Sequence, residues 1–365
     1  MKLRIAVDGV SAVGGADAVL SDVISAAVAH PDFEEVLVAV SNPRLASKLT
    51  GGKVRAILIP PMRPNAVFRL HWLSVGFPRF AERHRADGAL CLAGGGATAS
   101  GVPAVVFLQQ ALLFEPNLER FFSQVQKVRW EIIKAVVFRS AKIARAVFVQ
   151  TNVMADLVRT HIGVPSSRIH VFFPSPPQLP APPSRVPHAL VEMARAKEDQ
   201  RFLYVGYDYP YKGIELLREA AGPIIRNLPD FKLFLTLPRD ERFADAPSLH
   251  AVGLLSRPEL HCAYRMARGV VLPSLCETVG LPLLEAMRCG VPPIAANLPY
   301  SHEVCGNAGT YFDPRSHQAL AGAIASISEP GRWMELSALA LERAKELRRG
   351  NPYLLMLSTF KEAIA

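Results

Sequence analysis

Short runs of apolar, mostly β-branched residues recur along this chain, separated by longer stretches in which apolar positions return every three or four residues. In the first half the runs fall at residues 3–8, 36–40, 104–108 and 146–150, and in the second at 202–205, 232–235, 270–272 and 293–296. Runs this short and this continuously apolar suit strands buried on both faces. The 3.6-residue periodicity between them suits helices that cover those faces. Strand and helix in alternation predict an α/β protein with parallel sheets, and the alternation occurs twice. Between the two series, residues 174–187 hold seven prolines, a density that no packed helix or central strand tolerates. The segment reads as a semi-rigid extended linker. The expected organisation is therefore two Rossmann-like domains, 1–173 and 188–350, followed by a last helix over 352–365.

Composition narrows the picture. The chain has 365 residues, half of them apolar, enough for two cores. No apolar run approaches the roughly 20 residues that span a bilayer. Asp8 interrupts the first apolar run too early for a signal-peptide core, so a cytoplasmic protein is expected. The five cysteines include no Cys-x-x-Cys pair, which argues against a disulfide framework or a zinc site. The net charge is +9, and residues 1–173 carry 20 Lys and Arg against 12 Asp and Glu, so +8 of it lies in the first half. That asymmetry suits an acidic partner surface. Over 118–145, Arg120, Lys127, Lys134, Lys142 and Arg145 share one side of a predicted helix that also carries Phe121, Phe122, Trp130, Ile132 and Phe138. Such a stripe can rest on anionic lipid headgroups, although a solvated face on a packed helix gives the same pattern. No nucleic-acid-binding motif accompanies the charge.

The chemistry concentrates in two loops that follow predicted strands. After the strand at 270–272 comes Pro273-Ser274-Leu275-Cys276-Glu277-Thr278-Val279-Gly280-Leu281-Pro282-Leu283-Leu284-Glu285, with seven residues between the two glutamates. Pro282 suits the first turn of a helix, so Glu277 is expected in the loop and Glu285 about one turn inside. Unpaired N–H groups at that helix start favour a phosphate. The second loop runs Gly206-Tyr207-Asp208-Tyr209-Pro210-Tyr211-Lys212-Gly213 and brings a lysine to the same end of the sheet. Ligands of such sheets bind beyond the carboxyl ends of the strands. Gly14-Gly15 follows the first strand in the same manner, where missing side chains let backbone N–H groups approach an anion. No Gly-x-Gly-x-x-Gly or Gly-x4-Gly-Lys-Ser/Thr sequence is present, so a dinucleotide oxidoreductase or P-loop ATPase lacks its main support. No Asp-x-Asp pair is present either, and a metal-independent reaction is favoured.

The Glu277/Glu285 run resembles the Glu-x7-Glu signature of glycosyltransferase family 4. The similarity continues through Ala286-Met287-Arg288-Cys289-Gly290-Val291-Pro292-Pro293-Ile294-Ala295-Ala296 to Glu303-Val304 and Phe312-Asp313-Pro314. The resemblance implies a GT-B fold, two Rossmann-like domains facing across a cleft, and a C-terminal helix that returns to the first domain. It implies retaining transfer of a hexose from a nucleoside diphosphate sugar to a glycan or lipid-linked acceptor, as in bacterial polysaccharide or lipopolysaccharide synthesis. The donor expected first is GDP-mannose, with no cofactor or metal required.

Among the residues, the resemblance gives Glu285 the donor ribose, Glu277 the transferred sugar, and Lys212 the donor phosphates. Gly14, Gly15, Gly206, Thr278, Val279, Gly280 and Leu281 would line the donor. Apart from the resemblance, Arg239 is expected at the nucleotide cleft from its place after Thr236-Leu237-Pro238. Two positions depart from the family pattern. Gln109-Gln110 stands where many relatives have His-Asp, so Gln109 can bond a sugar hydroxyl but cannot act as a base. Tyr207 replaces a frequent arginine. A nucleotide-sugar-binding protein without transfer activity, or a GT-B epimerase, is the alternative expectation. The acceptor is expected at the basic first domain, at the cytosolic face of the inner membrane.

Overall fold

The computed structural model describes residues 2–10, 15–61, 65–97, 101–115, 121–238, 240–348 and 350–365. The chain divides into two compact units, Met1–Phe173 with Gly350–Ala365, and Pro174–Arg349.

The first unit is built on seven parallel strands: β1 (Leu3–Asp8), β2 (Phe33–Val40), β3 (Val54–Leu58), β4 (Gly88–Cys91), β5 (Ala104–Leu108), β6 (Ala146–Val149) and β7 (Ile169–Val171). Their spatial order is β3-β2-β1-β4-β5-β6-β7. The connecting helices are α1 (Gly15–Ala29), α2 (Pro43–Leu49), α3 (Ala66–His71), α4 (Phe77–Arg83), α5 (Gln124–Ile143) and α6 (Asn152–Leu157). β4, β5 and β6 are buried at every position, the both-faces-covered pattern that the apolar runs anticipate.

The second unit has six parallel strands: β8 (Arg201–Tyr204), β9 (Lys232–Leu235), β10 (Leu249–Ala251), β11 (Gly269–Leu272), β12 (Pro293–Ala296) and β13 (Thr310–Phe312), in the order β10-β9-β8-β11-β12-β13. Its helices are α7 (Val191–Arg195), α8 (Ile214–Asn227), α9 (Arg257–Met266), α10 (Leu281–Arg288), α11 (Pro299–Cys305), α12 (His317–Ser328) and α13 (Pro330–Glu346). Alternate strand residues sort these helices onto opposite faces. Phe202, Tyr204, Leu233 and Leu235 pack with α8 and α12, whereas Leu203, Phe234 and Val270 pack with α9 and Ala286 of α10.

The last helix, α14 (Pro352–Ile364), belongs to the first unit. Asn351 caps it and Pro352 opens it. Met356, Leu357 and Phe360 lie in the first unit's core beside Phe33, Leu90 and Val105. Lys361 closes an ion pair with Asp32 at 2.6 Å. Gly88 makes room for the helix, since a Cβ there would lie 2.6 Å from Ile364 and 2.8 Å from Phe360.

Two expectations need correction. The proline-rich segment, expected as a semi-rigid linker between the domains, belongs to the second unit. Leu179 is buried in that unit's core, and the carbonyls of Pro176 and Pro180 accept bonds from Arg288 and His261. Proline removes donors but leaves carbonyls, which here find side-chain partners. The long basic helix starts later than its pattern suggests, at Gln124, where Ser123 and Gln126 form a capping box. Arg120 lies outside the described residues, and Lys127 and Lys134 are half-buried. Lys134 stands near Glu131 and over the Phe138 ring. The continuous basic stripe is thus broken, and the exposed side of the first turns carries Val125, Val128 and Ile132.

Candidate functional site

The second sheet changes direction between β8 and β11, since the chain runs outward from β8 to β10 and then returns to the other side of β8. Strand ends at such a switch point leave a crevice for a ligand. The loops after these two strands are in intimate contact. Gly213 has φ +75°, and a Cβ there would stand 2.6 Å from the Pro273 carbonyl oxygen, so only glycine fits. The Leu275 N–H donates to the Tyr211 carbonyl at 2.8 Å, tying one loop to the other. This packing brings Lys212 to Glu277, with Nζ 2.5 Å from Oε1 and both side chains about one-sixth exposed. Lys212 Nζ also lies 5.4 Å from the Tyr211 ring centroid. Burial, and secondarily the negative charge of Glu277, drives the hydroxyls of Tyr204 and Tyr211 far above the ordinary phenol range. Both phenols therefore stay protonated.

Beyond Glu277 the chain passes half-buried Thr278 and buried Val279 to Gly280, whose φ of +74° turns the backbone into α10. Gly280 provides no side chain to cap the helix, and the first turn contains no acidic residue. The start of α10 thus keeps its partial positive charge free of a covalently attached anion. Leu281, the first helical residue, is half-buried.

Glu285 lies one turn further and is 3% exposed. The Tyr264 hydroxyl donates to its Oε2 at 2.7 Å, and Arg257 Nη1 donates to Oε1 at 2.5 Å. Each carboxylate oxygen has capacity for a further donor, so these bonds orient the group without exhausting it. Burial and Glu285 together hold the Tyr264 phenol far above its usual range.

The remaining expected residues are placed as follows. Gly206 directly follows the β8 end region, where its N–H donates to Thr236 Oγ1 at 3.2 Å and a Cβ would meet the Tyr204 hydroxyl at 2.6 Å. Gly15 opens α1 after β1. Gly14 and Arg239 lie outside the described residues. Gln109 follows β5 in the first unit, half-buried, with its Nε2 donating to the Leu92 carbonyl at 3.2 Å. Among the described residues no cluster of three or more His, Cys, Asp or Glu has the arrangement of a metal site.

Residues 199–329 match the family model of Glycosyl transferases group 1. Over that stretch, about a third of its length, the chain is similar to this family. The matched stretch of the group 1 family spans β8 to α12 and so contains Lys212, Glu277 and Glu285. One relative is the O-antigen chain mannosyltransferase B of Escherichia coli, 34% identical over 111 residues, which are 30% of this chain and 29% of that protein. The chain thus spans under a third of the length of the curated relatives it first matches. Over nearly the whole chain, the fold is that of sucrose-phosphate synthase from Thermosynechococcus elongatus, with a TM-score of 0.76, 18% identity and coverage of 99% and 98% of the two chains. It is equally that of HepE from Anabaena, solved with UDP and glucose, with a TM-score of 0.72, 17% identity and 99% of each chain covered. The fold is GT-B.

Three residues escaped sequence reasoning. Arg257 and Tyr264 reach Glu285 from α9, 28 and 21 residues away, because α9 and α10 share one face of the sheet. The only local signal was the Ser256/Glu259 capping box that fixes where α9 begins. The third, Asp8, ends β1 at the first sheet's own switch point, between β1 and β4. It is 2% exposed, and its Oδ1 accepts from Trp72 Nε1 at 2.9 Å and from the Val10 N–H at 3.2 Å. Its Oδ2 has no partner among the described residues. Burial raises this carboxyl to about 6, against the lowering effect of those two bonds.

Proposed function

We propose that this protein is a retaining hexosyltransferase that moves a sugar, mannose first among the candidates, from a nucleoside diphosphate to a hydroxyl of a glycan or lipid-linked acceptor. The observation that carries this reading is the Lys212–Glu277 pair at the head of the β8/β11 crevice, within the stretch that matches the group 1 family model. An ammonium and a carboxylate in contact are also a diphosphate ligand and a sugar-hydroxyl ligand waiting to exchange partners. When a donor enters, Lys212 moves onto its phosphates, Glu277 turns to the sugar, and Glu285 takes the ribose hydroxyls.

In the reaction the bond between the anomeric carbon and the phosphate oxygen breaks, while a bond to the acceptor oxygen forms on the same face of the sugar. The acceptor proton passes to the leaving phosphate, so no side-chain base is required and glutamine at position 109 suffices. The N-terminus of α10, a fixed dipole needing little reorganisation, and Lys212, once it has moved onto the phosphates, stabilise the charge that develops on the diphosphate. This assignment asks for no metal ion, and activity is expected to persist in excess chelator.

The name of the Escherichia coli relative supports bacterial O-antigen or related surface polysaccharide as the setting. The partner surface proposed is the anionic cytosolic face of a membrane, met by Val125, Val128 and Ile132 of α5 with Lys127 and Arg129 beside them. No helix among the described residues is long and apolar enough to cross a membrane. The decisive experiment screens GDP-, UDP-, ADP- and dTDP-sugars for thermal stabilisation and then for release of nucleoside diphosphate with extracted glycolipid acceptors. Release that depends on acceptor supports transfer. Binding without any release assigns a nucleotide-sugar-binding protein, and conversion of free donor without acceptor assigns an epimerase.

A further inference from the structure

The loop between β8 and α8 carries aromatic side chains to which the donor assignment above gives no role. The rings of Tyr209 and Tyr211 are parallel, with centroids 5.6 Å apart and planes 2° apart, and the Tyr207 ring lies 6.4 Å from that of Tyr209, tilted 53° to it. Tyr211 backs Lys212, but Tyr207 and Tyr209 are 52% and 51% exposed. A single exposed tyrosine needs no explanation, whereas this pair stands on a backbone fixed at several points. The Tyr204 hydroxyl and the Tyr209 N–H both donate to the Tyr207 carbonyl at 3.1 Å, and the Lys212 N–H donates to the Tyr209 carbonyl at 2.8 Å. Asp208, between the two rings, is held by Arg242, which Asp240 also grips. Little ordering entropy remains for this loop to lose on binding.

Resting on the transferase reading above, we propose that Tyr207 and Tyr209 form an angled aromatic platform, one ring as floor and the other as wall, for one pyranose ring of the glycan acceptor. A pyranose presents flat patches of C–H groups bordered by hydroxyls, and a tyrosine offers an apolar face with a polar tip. Beside the rings Asp208 and Asp240 outnumber Arg242, a net negative charge that suits a neutral sugar better than a phosphate or carboxylate. A nucleobase is disfavoured by position. Glu285 stands on the α9 and α10 side of the sheet, whereas the tyrosine loop leads into α8 on the opposite side.

Saturation-transfer NMR with α-mannotriose, maltotriose and cellotriose tests the platform without turnover, alongside calorimetric titration of GDP and UDP. Expected is contact with at least one trisaccharide, weakened about tenfold in Tyr207→Ala and Tyr209→Ala and restored by Tyr207→Phe and Tyr209→Phe, with nucleotide affinity unchanged. No trisaccharide contact in the wild type, or contact that survives the double alanine variant, overturns the proposal. Loss of GDP or UDP affinity in the alanine variants overturns it in favour of a base-stacking role. The two readings fail separately. Trisaccharide binding at the tyrosines without nucleoside diphosphate release removes only the transferase reading, and acceptor-dependent release with an unchanged acceptor KM in the alanine variants removes only the platform.

Discussion

The two sheets reverse direction in the same way, yet their switch points hold opposite kinds of carboxyl group. At β8/β11, Glu277 sits against a lysine and keeps some contact with solvent. At β1/β4, Asp8 is sealed in, meets an indole N–H in place of a cation, and is driven toward its neutral form. Parallel topology therefore supplies a crevice but not its chemistry. What differs is the counter-charge, and in the proposed transferase it makes one carboxylate an exchangeable ligand while the other stays a fixed group.

The largest effect should come from breaking the exchangeable side. Glu277→Gln keeps the shape but removes the charge, and kcat is expected to fall about a thousandfold in an assay of nucleoside diphosphate release. Lys212→Met should cost about a hundredfold in the same assay and leave Glu277 without its cation. A rate within threefold of wild type in either variant would remove the pair from the chemistry.

On the fixed side the expected signature is a pH dependence. The folded-state value of Asp8 lies about two units above that of an unfolded aspartate, so its contribution is complete below about pH 4, lost as pH rises to about 6, and absent above. Asp8→Asn mimics the neutral form, and urea unfolding should find the variant about 2 kcal/mol more stable than wild type at pH 7, the gap closing toward pH 4. A gap that stayed constant with pH would show that Asp8 is not the titrating group. The smallest effect is expected at Arg257, whose side chain is about half exposed although Glu285 is not. Arg257→Gln should cost about 1 kcal/mol of stability, far less than a fully buried pair would, by the same unfolding measurement.

Much of this was legible in the sequence because the strands that build the switch points are continuously apolar. The runs at 3–8, 104–108, 232–235 and 293–296 are strands to the residue, and the loops that carry Lys212 and Glu277 were identified as strand-following. β10 and β13, with three residues each, are too short to show a period, and β3 exposes Leu58 at its end. The partners of Glu285 were illegible for another reason. Sequence periodicity tells which side of α10 faces inward but not which helix lies beside it, and Arg257 and Tyr264 are defined only by that neighbour. The proline-rich segment misled because proline density reports lost donors, whereas its docking uses carbonyls and one leucine.

The position of α14 has a consequence for how the chain is made. With both Met1–Phe173 and Gly350–Ala365 in one unit, the second unit is an insertion in the first. A ribosome delivers residues 1–173 early, but the core that contains Phe33 and Leu90 still lacks Met356, Leu357 and Phe360. The first unit must wait, partly open, while the second folds ahead of it. Helix α14 then acts as the closing piece, so loss of residues 350–365 should expose apolar surface within residues 1–173, a proofreading signal that a truncated product would carry to the cell's proteases.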